Sequence, residues 1–343
     1  MRTIKITVPG SKSLTNRALI LASLADGISV IKSASKSDDS LVLIKALKKL
    51  GVVMTEEDHN LKVVGNNGKF KLFNGQIFVG NAGTATRFLT SLVALVPGRV
   101  TIVKSKRMKV RPIKELTDAL KKIKTGKVSV KGDISSQFVS SLLMIAPVLE
   151  KGLVIKIIGQ LVSRSYIDMT IDLLNKFGVK VINRQYEEFI IKKNQKLKPV
   201  VYEVEGDASG ASYFWAIAAI TGGKIRVKDI NPLSSQGDIK FVDILQKMGC
   251  LVNKNVKESW IEIQGPKLLK AVEVNMSLMP DTAQTLAVTA AFAKGKTKII
   301  GLSTLKIKET DRLQALKNEL KKMKIKSKIT DSSITIVGGS PQK

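Results

Sequence analysis

One pattern recurs five times along the 343 residues, and that repetition limits the chain to an architecture built from like units. The restarts read PGSKSLTNRALILASLADG from Pro9, GNAGTATRFLTSLVAL from Gly80, GDISSQFVSSLLMIAPVL from Gly132, GDASGASYFWAIAAI from Gly206 and PDTAQTLAVTAAFA from Pro280. The first restart follows a β-branched strand, Ile4–Val8, stopped by Pro9-Gly10. Ser11 or Ser13 can cap a helix in which Leu14, Ala18, Leu21 and Ala22 recur at helical spacing, with Gly27 ending it. A strand at Ile28–Ile31, a helix at Asp38–Leu50 and short strands near Val52–Met54 and Leu61–Val64 complete the unit. Later restarts lead in the same order to strands at Val100–Val103, Leu153–Ile158, Lys224–Val227 and Thr297–Ile300. Helices follow them at Pro112–Ile123, Tyr166–Phe177, Ile239–Met248 and Thr310–Met323. A complete unit is a βαβαββ segment of about 70 residues. Its first helix, made of Ala, Ser, Thr and Leu, is expected to be buried, and its second, lysine-rich on one face, to lie outside.

A chain of this length exceeds one ordinary core, so two domains are expected. Apolar content of 44% with 25% charged residues is that of a globular protein. No run of about 18 apolar residues occurs, so no membrane span is expected. Met1 leads directly into a strand with no leader-like segment. Cys250 is the only cysteine, which excludes an internal disulfide and a cysteine metal cage. His59 is the only histidine, in Glu56-Glu57-Asp58-His59-Asn60, and reads as a solvated hairpin tip.

The net charge of +29 fits nucleic acid, an anionic surface or strongly anionic small substrates. The lysines lie along the whole chain on polar helix faces (Lys45, Lys48, Lys49; Lys317, Lys321, Lys322), and aromatic residues make up only 5%, which argues against nucleic acid. Each restart places small polar residues at the start of a helix, where free N–H groups and the positive dipole end attract anions. The cations nearest those starts are Lys12, Arg17, Arg87, Arg107, Arg111, Lys308 and Arg312, and the acids are Asp281, Glu309 and Asp311. That set suits a multiply charged phosphate or carboxylate, with Asp281 and Glu309 as acid/base candidates.

Seven blocks of this sequence occur in the order seen in 3-phosphoshikimate 1-carboxyvinyltransferases, also called 5-enolpyruvylshikimate-3-phosphate synthases. They are PGSKSLTNRALILASLADG, GNAGTATRFLTSL, RMKVRPIKELTDAL, SSQFVSSLLMIAP, SRSYIDMTIDLL, VEGDASGASYF and LKIKETDRLQAL. The chain resembles that family from about Ile4 to about Lys324. The resemblance implies a two-lobed α/β enolpyruvyl-transferase fold that closes over its substrates, with no metal and no organic cofactor. It implies transfer of the enolpyruvyl group of phosphoenolpyruvate to the 5-hydroxyl of shikimate 3-phosphate, on the route to aromatic amino acids, by a cytoplasmic monomer. The family's shikimate-3-phosphate contacts fall on Lys12, Ser13, Arg17, Ser135, Ser136, Gln137, Ser163, Tyr166, Asp281 and Lys308. Its phosphoenolpyruvate contacts fall on Lys12, Asn81, Gly83, Arg111, Gln137, Glu309 and Arg312. Asp281 is expected to act as base on the hydroxyl. Glu309, with Lys12, is expected to move the proton at the methylene carbon.

Departures from the family pattern are as informative. Family members show six units and this sequence shows five, so an open apolar flank is expected. Gly338–Lys343 reads as a frayed end. The unit before Gly132 is short, with its strand pair cut to about one strand, KVSVKG. Two alternatives stand beside the synthase: a shortened protein that binds shikimate 3-phosphate with little turnover, and a UDP-N-acetylglucosamine enolpyruvyl transferase. Against the latter, the loop Lys104-Ser105-Lys106-Arg107-Met108 before Arg111 holds no cysteine. The first lobe is expected over residues 12–205 and the second, discontinuous one over 1–11 and 206–343. Pro9-Gly10 and Gly206 are the hinge candidates.

Overall fold

The computed structural model describes residues 2–58, 60–339 and 341. His59 and the residues at 340, 342 and 343, where a hairpin tip and a frayed end are expected, lie outside the described residues. In chain order the elements begin β1 (Ile4–Thr7), α1 (Lys12–Leu24), β2 (Ile28–Lys32), α2 (Asp38–Lys49), β3 (Val53–Glu57), β4 (Asn60–Val64), β5 (Gly75–Gly80), α3 (Gly83–Leu92), β6 (Val100–Lys104) and α4 (Lys106–Val110). They continue with α5 (Lys114–Lys121), β7 (Lys127–Lys131), α6 (Ser136–Ile145), β8 (Leu153–Ile158), α7 (Ser165–Lys176), β9 (Ile182–Arg184), β10 (Glu188–Ile191), β11 (Val201–Glu203) and α8 (Ala208–Thr221). The rest are β12 (Lys224–Lys228), α9 (Phe241–Lys247), β13 (Leu251–Asn255), β14 (Trp260–Gln264), β15 (Glu273–Asn275), α10 (Ala283–Ala291), β16 (Gly295–Ile300), α11 (Arg312–Lys322), β17 (Lys326–Ile329) and β18 (Ser333–Gly338).

The chain forms two compact units, Gly10–Val204 and Met1–Pro9 with Glu205–Lys343. The first holds sheets ordered β11-β2-β4-β3 and β7-β8-β10-β9 and the pair β5-β6; the second holds β1-β12-β14-β13 and β15-β16-β18-β17. Every four-stranded sheet repeats one plan: a parallel pair, then two antiparallel steps. In two of the sheets the parallel partner comes from far away in sequence. Ile4 pairs with Ile225 and Val201 with Val30, so each unit is closed by a distant strand. The short unit has a physical explanation that differs from the expectation. KVSVKG forms β7, which pairs in parallel with β8 in the next sheet, so β5-β6 has no hairpin of its own.

The helices sort as their composition demands. In the first unit α1, α3 and α6 are buried almost throughout, while α2, α5 and α7 bury one face. Ser11, the true cap of α1, accepts from the Leu14 N–H at 3.4 Å. Two inner helices, α8 and α10, serve the second unit, with α9 and α11 outside. Helix α8 is apolar on all sides, yet Tyr213 and Ile217 stay 52% and 49% exposed, and Val288 of α10 in the same unit is exposed as well. Gly10 sits where a Cβ would come within 1.9 Å of the Ser33 carbonyl oxygen, so only glycine fits there. Among the described residues no helix is long and apolar enough to cross a membrane.

Candidate active site

The sequence-predicted residues fall into two sets, one in each unit. In Gly10–Val204 the first set gathers at the N-terminal ends of α1, α3, α6 and α7. Lys12 and Ser13 occupy the first turn of α1, and Lys12 Nζ lies 4.0 Å from Asp39 Oδ2. One turn on, Arg17 is 1% exposed. Its Nε donates to Thr170 Oγ1 at 2.8 Å, its Nη1 to the Ser13 carbonyl at 2.8 Å and its Nη2 to the Tyr166 carbonyl at 3.0 Å. The guanidinium also stacks 5.3 Å from the Phe88 ring centre. Burial pushes its pKa down to about 10, with the neighbouring Tyr166 acting in the opposite sense. Arg17 thus ties α1 to α7, using one hydrogen on each nitrogen.

The Tyr166 carbonyl accepts from Ser140 Oγ of α6 at 3.3 Å as well, which brings the starts of α6 and α7 to the same end. Ser163, just before α7, is buried with a left-handed backbone at φ 53°. Ser135 caps α6, accepting from the Gln137 N–H at 3.3 Å, and Ser136 is buried beside it. Gln137 Nε2 donates to Thr84 Oγ1 at 3.2 Å, linking the starts of α6 and α3, while its Oε1 is buried with no hydrogen-bond partner. Buried Gly83 opens α3.

The segment before Arg111 was expected as a loop. It is the short helix α4, capped by Ser105, whose Oγ accepts from the Met108 N–H at 3.3 Å and donates to Asn81 Oδ1. Arg111 follows as the C-cap of α4, buried, with Nη1 3.3 Å from Met108 Sδ. Arg87 spans this region: its Nη1 donates to the Gly83 carbonyl at 3.0 Å and its Nη2 to the Pro112 carbonyl at 3.2 Å. Asn81, Gly83 and Arg111 are thereby held as one cluster.

The second set belongs to the unit of Met1–Pro9 and Glu205–Lys343. Asp281 lies in the 3-10 turn Pro280–Thr282 before α10. Its Oδ1 accepts from Arg312 Nη1 at 2.8 Å and Lys308 Nζ at 3.3 Å. Arg312 also reaches Glu309 Oε2 through Nη2 at 3.3 Å, so one guanidinium holds both carboxylates. Asp311, an acid candidate by proximity, is the cap of α11, accepting from the Gln314 N–H at 3.1 Å.

Sequence reasoning missed the supporting shell. Thr84, Ser140 and Thr170 look like ordinary helix residues, and only the packing of α3, α6 and α7 reveals their partners. Asp238 was also missed, because QGD at 236–238 reads as a polar turn. It is 6% exposed, and Ser209 Oγ donates to its Oδ2. Among the described residues no group of three or more His, Cys, Asp or Glu side chains is placed to hold a metal ion.

Repeated sheets around small-residue helices, with helix starts lined by Lys, Arg, Asp and Glu, define an enolpyruvyl-transferase fold. Two solved structures share it. The EPSP synthase of Acinetobacter baumannii superposes with a TM-score of 0.79 at 22% identity, over 98% of this chain and 82% of that one. The enolpyruvyl transferase NikO of Streptomyces tendae superposes with a TM-score of 0.73 at 14% identity, over 100% of this chain and 83% of that one.

Sequence similarity narrows the class. The family described as EPSP synthase (3-phosphoshikimate 1-carboxyvinyltransferase) matches residues 3–343, and the chain belongs to that family. A 3-phosphoshikimate 1-carboxyvinyltransferase of Marinomonas sp. (strain MWYL1) is 43% identical over 344 residues, covering 93% of this chain and 80% of the relative. One of Sulfurovum sp. (strain NBC37-1) is 40% identical over 358 residues, covering 97% of this chain and 83% of the relative.

Proposed function

We propose that this chain transfers the enolpyruvyl group of phosphoenolpyruvate to the 5-hydroxyl of shikimate 3-phosphate and releases phosphate. The observation that carries the reading is Arg312 gripping Asp281 and Glu309 together, with Lys308 on Asp281. Adding an alcohol across an enol double bond needs a proton delivered to the methylene carbon and one taken from the hydroxyl. Losing phosphate then needs the methyl group to give a proton back. Asp281 is assigned to the hydroxyl proton, and Glu309, with Lys12, to the proton on carbon.

Both substrates carry a phosphate and a carboxylate, and so call for cations and helix starts. Arg111, Arg312 and Lys12 are assigned to the phosphate and carboxylate of phosphoenolpyruvate, with Asn81, Gly83, Gln137 and Glu309 lining its site. Lys12, Ser13, Arg17, Ser135, Ser136, Gln137, Ser163, Tyr166, Asp281 and Lys308 are assigned to shikimate 3-phosphate. Gln137 supports this part: its buried Oε1 lacks a protein donor, which a substrate hydroxyl would supply. The reading takes the chain as a cytoplasmic monomer.

The test is phosphate release from phosphoenolpyruvate with and without shikimate 3-phosphate, on the chain and on Asp281→Ala. Release that needs both substrates and falls at least a thousandfold in the variant is expected. No release, with shikimate 3-phosphate still binding in calorimetry, would replace the transferase by a binding protein. Neither release nor binding would remove both.

A further inference from the structure

Asp238 is a buried carboxylate to which the proposed site gives no part. Asp238 lies in the 3-10 turn Gly237–Lys240, which packs on the turn Pro280–Thr282 that carries Asp281. Two hydrogen bonds fix this arrangement. Ser209, in the first turn of α8, donates to Asp238 Oδ2, and one turn later Ser212 Oγ lies 3.0 Å from Thr285 Oγ1, four residues after Asp281. Gln236 locks the same segment, accepting from the Ala208 N–H at 3.1 Å and donating to the Gly206 carbonyl at 2.9 Å. Asp238 Oδ1 is buried with no hydrogen-bond partner. A carboxylate so enclosed, and tied to the helix that shares a hydroxyl contact with α10, has no evident structural task that serine or asparagine would not do better.

Asp281 has the opposite problem. Two cations grip it, at 2.8 Å and 3.3 Å, and cations that close make a carboxylate a poor proton acceptor. A base for a sugar-like hydroxyl needs that basicity returned.

We propose that Asp238 is a positioning residue whose buried negative charge, set against Asp281, restores the basicity that Lys308 and Arg312 withdraw. The inference rests on Asp281 acting as base in the proposed transfer. The charged groups that act on Asp238 are Asp207 at the start of α8, Asp281 and Lys308. Asp243 on α9 is occupied by Lys254 at 2.8 Å. Burial, then repulsion by Asp281, pushes the Asp238 carboxyl up to about 7; repulsion by Asp207 adds to this, and Ser209 and Lys308 oppose it. Asp238 therefore passes between neutral and charged across the physiological range, and Asp281 is an effective base only on the alkaline side.

The test is a carbon-13 NMR titration of the Asp281 carboxyl in the full chain and in Asp238→Asn, the resonance being assigned by its loss in Asp281→Asn. Asparagine keeps the shape and can still accept from Ser209. In the full chain the Asp281 resonance is expected to shift in a step near pH 7, as Asp238 ionises against it, and in Asp238→Asn that step is expected to be absent. A full-chain resonance with no step near pH 7, or a step that survives in Asp238→Asn, overturns the proposal. Phosphate-release profiles give the catalytic readout. The wild-type acid limb is expected near pH 7. Asp238→Asn should lose that limb and run about tenfold slower at pH 8, while Ser209→Ala, which removes a donor to the charged form, should move the limb upward. A limb that stays in place in both variants also overturns the proposal. If the chain shows no turnover while the Asp281 resonance still steps near pH 7 and loses that step in Asp238→Asn, the transferase reading fails and the coupling between the two carboxyls stands.

Discussion

Replacing Arg17 with methionine tests whether a buried charge holds the first unit together. Three charge-assisted hydrogen bonds, at 2.8, 2.8 and 3.0 Å, contribute about 1.5 kcal/mol each at the low end for such bonds. Stacking on Phe88 at 5.3 Å adds about 1 kcal/mol. Against this, a pKa pushed down to about 10 means that keeping the guanidinium charged in the interior costs about 3 kcal/mol. The balance favours arginine by about 2–3 kcal/mol. Methionine leaves few orphans, since the Tyr166 carbonyl keeps Ser140 and Thr170 as donors. At about 2–4 °C per kcal/mol for a unit of this size, Arg17→Met should melt roughly 5–10 °C lower. Scanning calorimetry of the substrate-free chain reads this directly. A variant that melts at or above the wild-type temperature would show that desolvation outweighs the three bonds, as it does for some buried ion pairs, and would refute the reasoning.

Two further outcomes follow from other sites. Gly10→Ala drives a Cβ to 1.9 Å from the Ser33 oxygen and should cost about 3 kcal/mol, read as a lower urea midpoint; an unchanged midpoint would mean the backbone there yields freely. Glu262 accepts from Lys224 at 3.1 Å and Arg226 at 3.0 Å. Burial works to raise its pKa, but hydrogen bonds from Lys224, Asn253 and Arg226 outweigh that and hold it below the usual glutamate range. A depressed carboxyl stabilises above its unfolded value and loses that contribution as pH falls through the folded one. Glu262→Gln should therefore flatten the loss of stability below about pH 4.5, seen in urea midpoints taken from pH 6 to pH 3.

Much of this organisation is legible in the sequence because local chemistry and burial agree. The helices of Ala, Ser, Thr and Leu, such as the one around Ala18 and Leu21, are the inner ones, and their polar starts hold the candidate residues. What escapes is what depends on distant pairing. KVSVKG looks like the remnant of its own unit and belongs to the next, because its partner strand lies beyond α6. Lys106–Val110 is too short and too basic to announce itself as a helix, and only Ser105, serving both Met108 and Asn81, fixes it. Arg17 reads as a cation at a helix start, and its role in tying α1 to α7 stays hidden because two of its partners are 149 and 153 residues away. Asp238 gives no signal at all until Ser209 and the Asp281 turn are seen against it.

The most direct test of the central claim is proton NMR of the chain in heavy water with phosphoenolpyruvate and shikimate 3-phosphate. The account predicts that the two vinyl signals of phosphoenolpyruvate give way to those of an enol ether. Deuterium should enter that methylene group as the proton on carbon is added and removed, and inorganic phosphate should rise in step. Phosphoenolpyruvate signals that persist unchanged and undeuterated, with shikimate 3-phosphate present and bound, would contradict it.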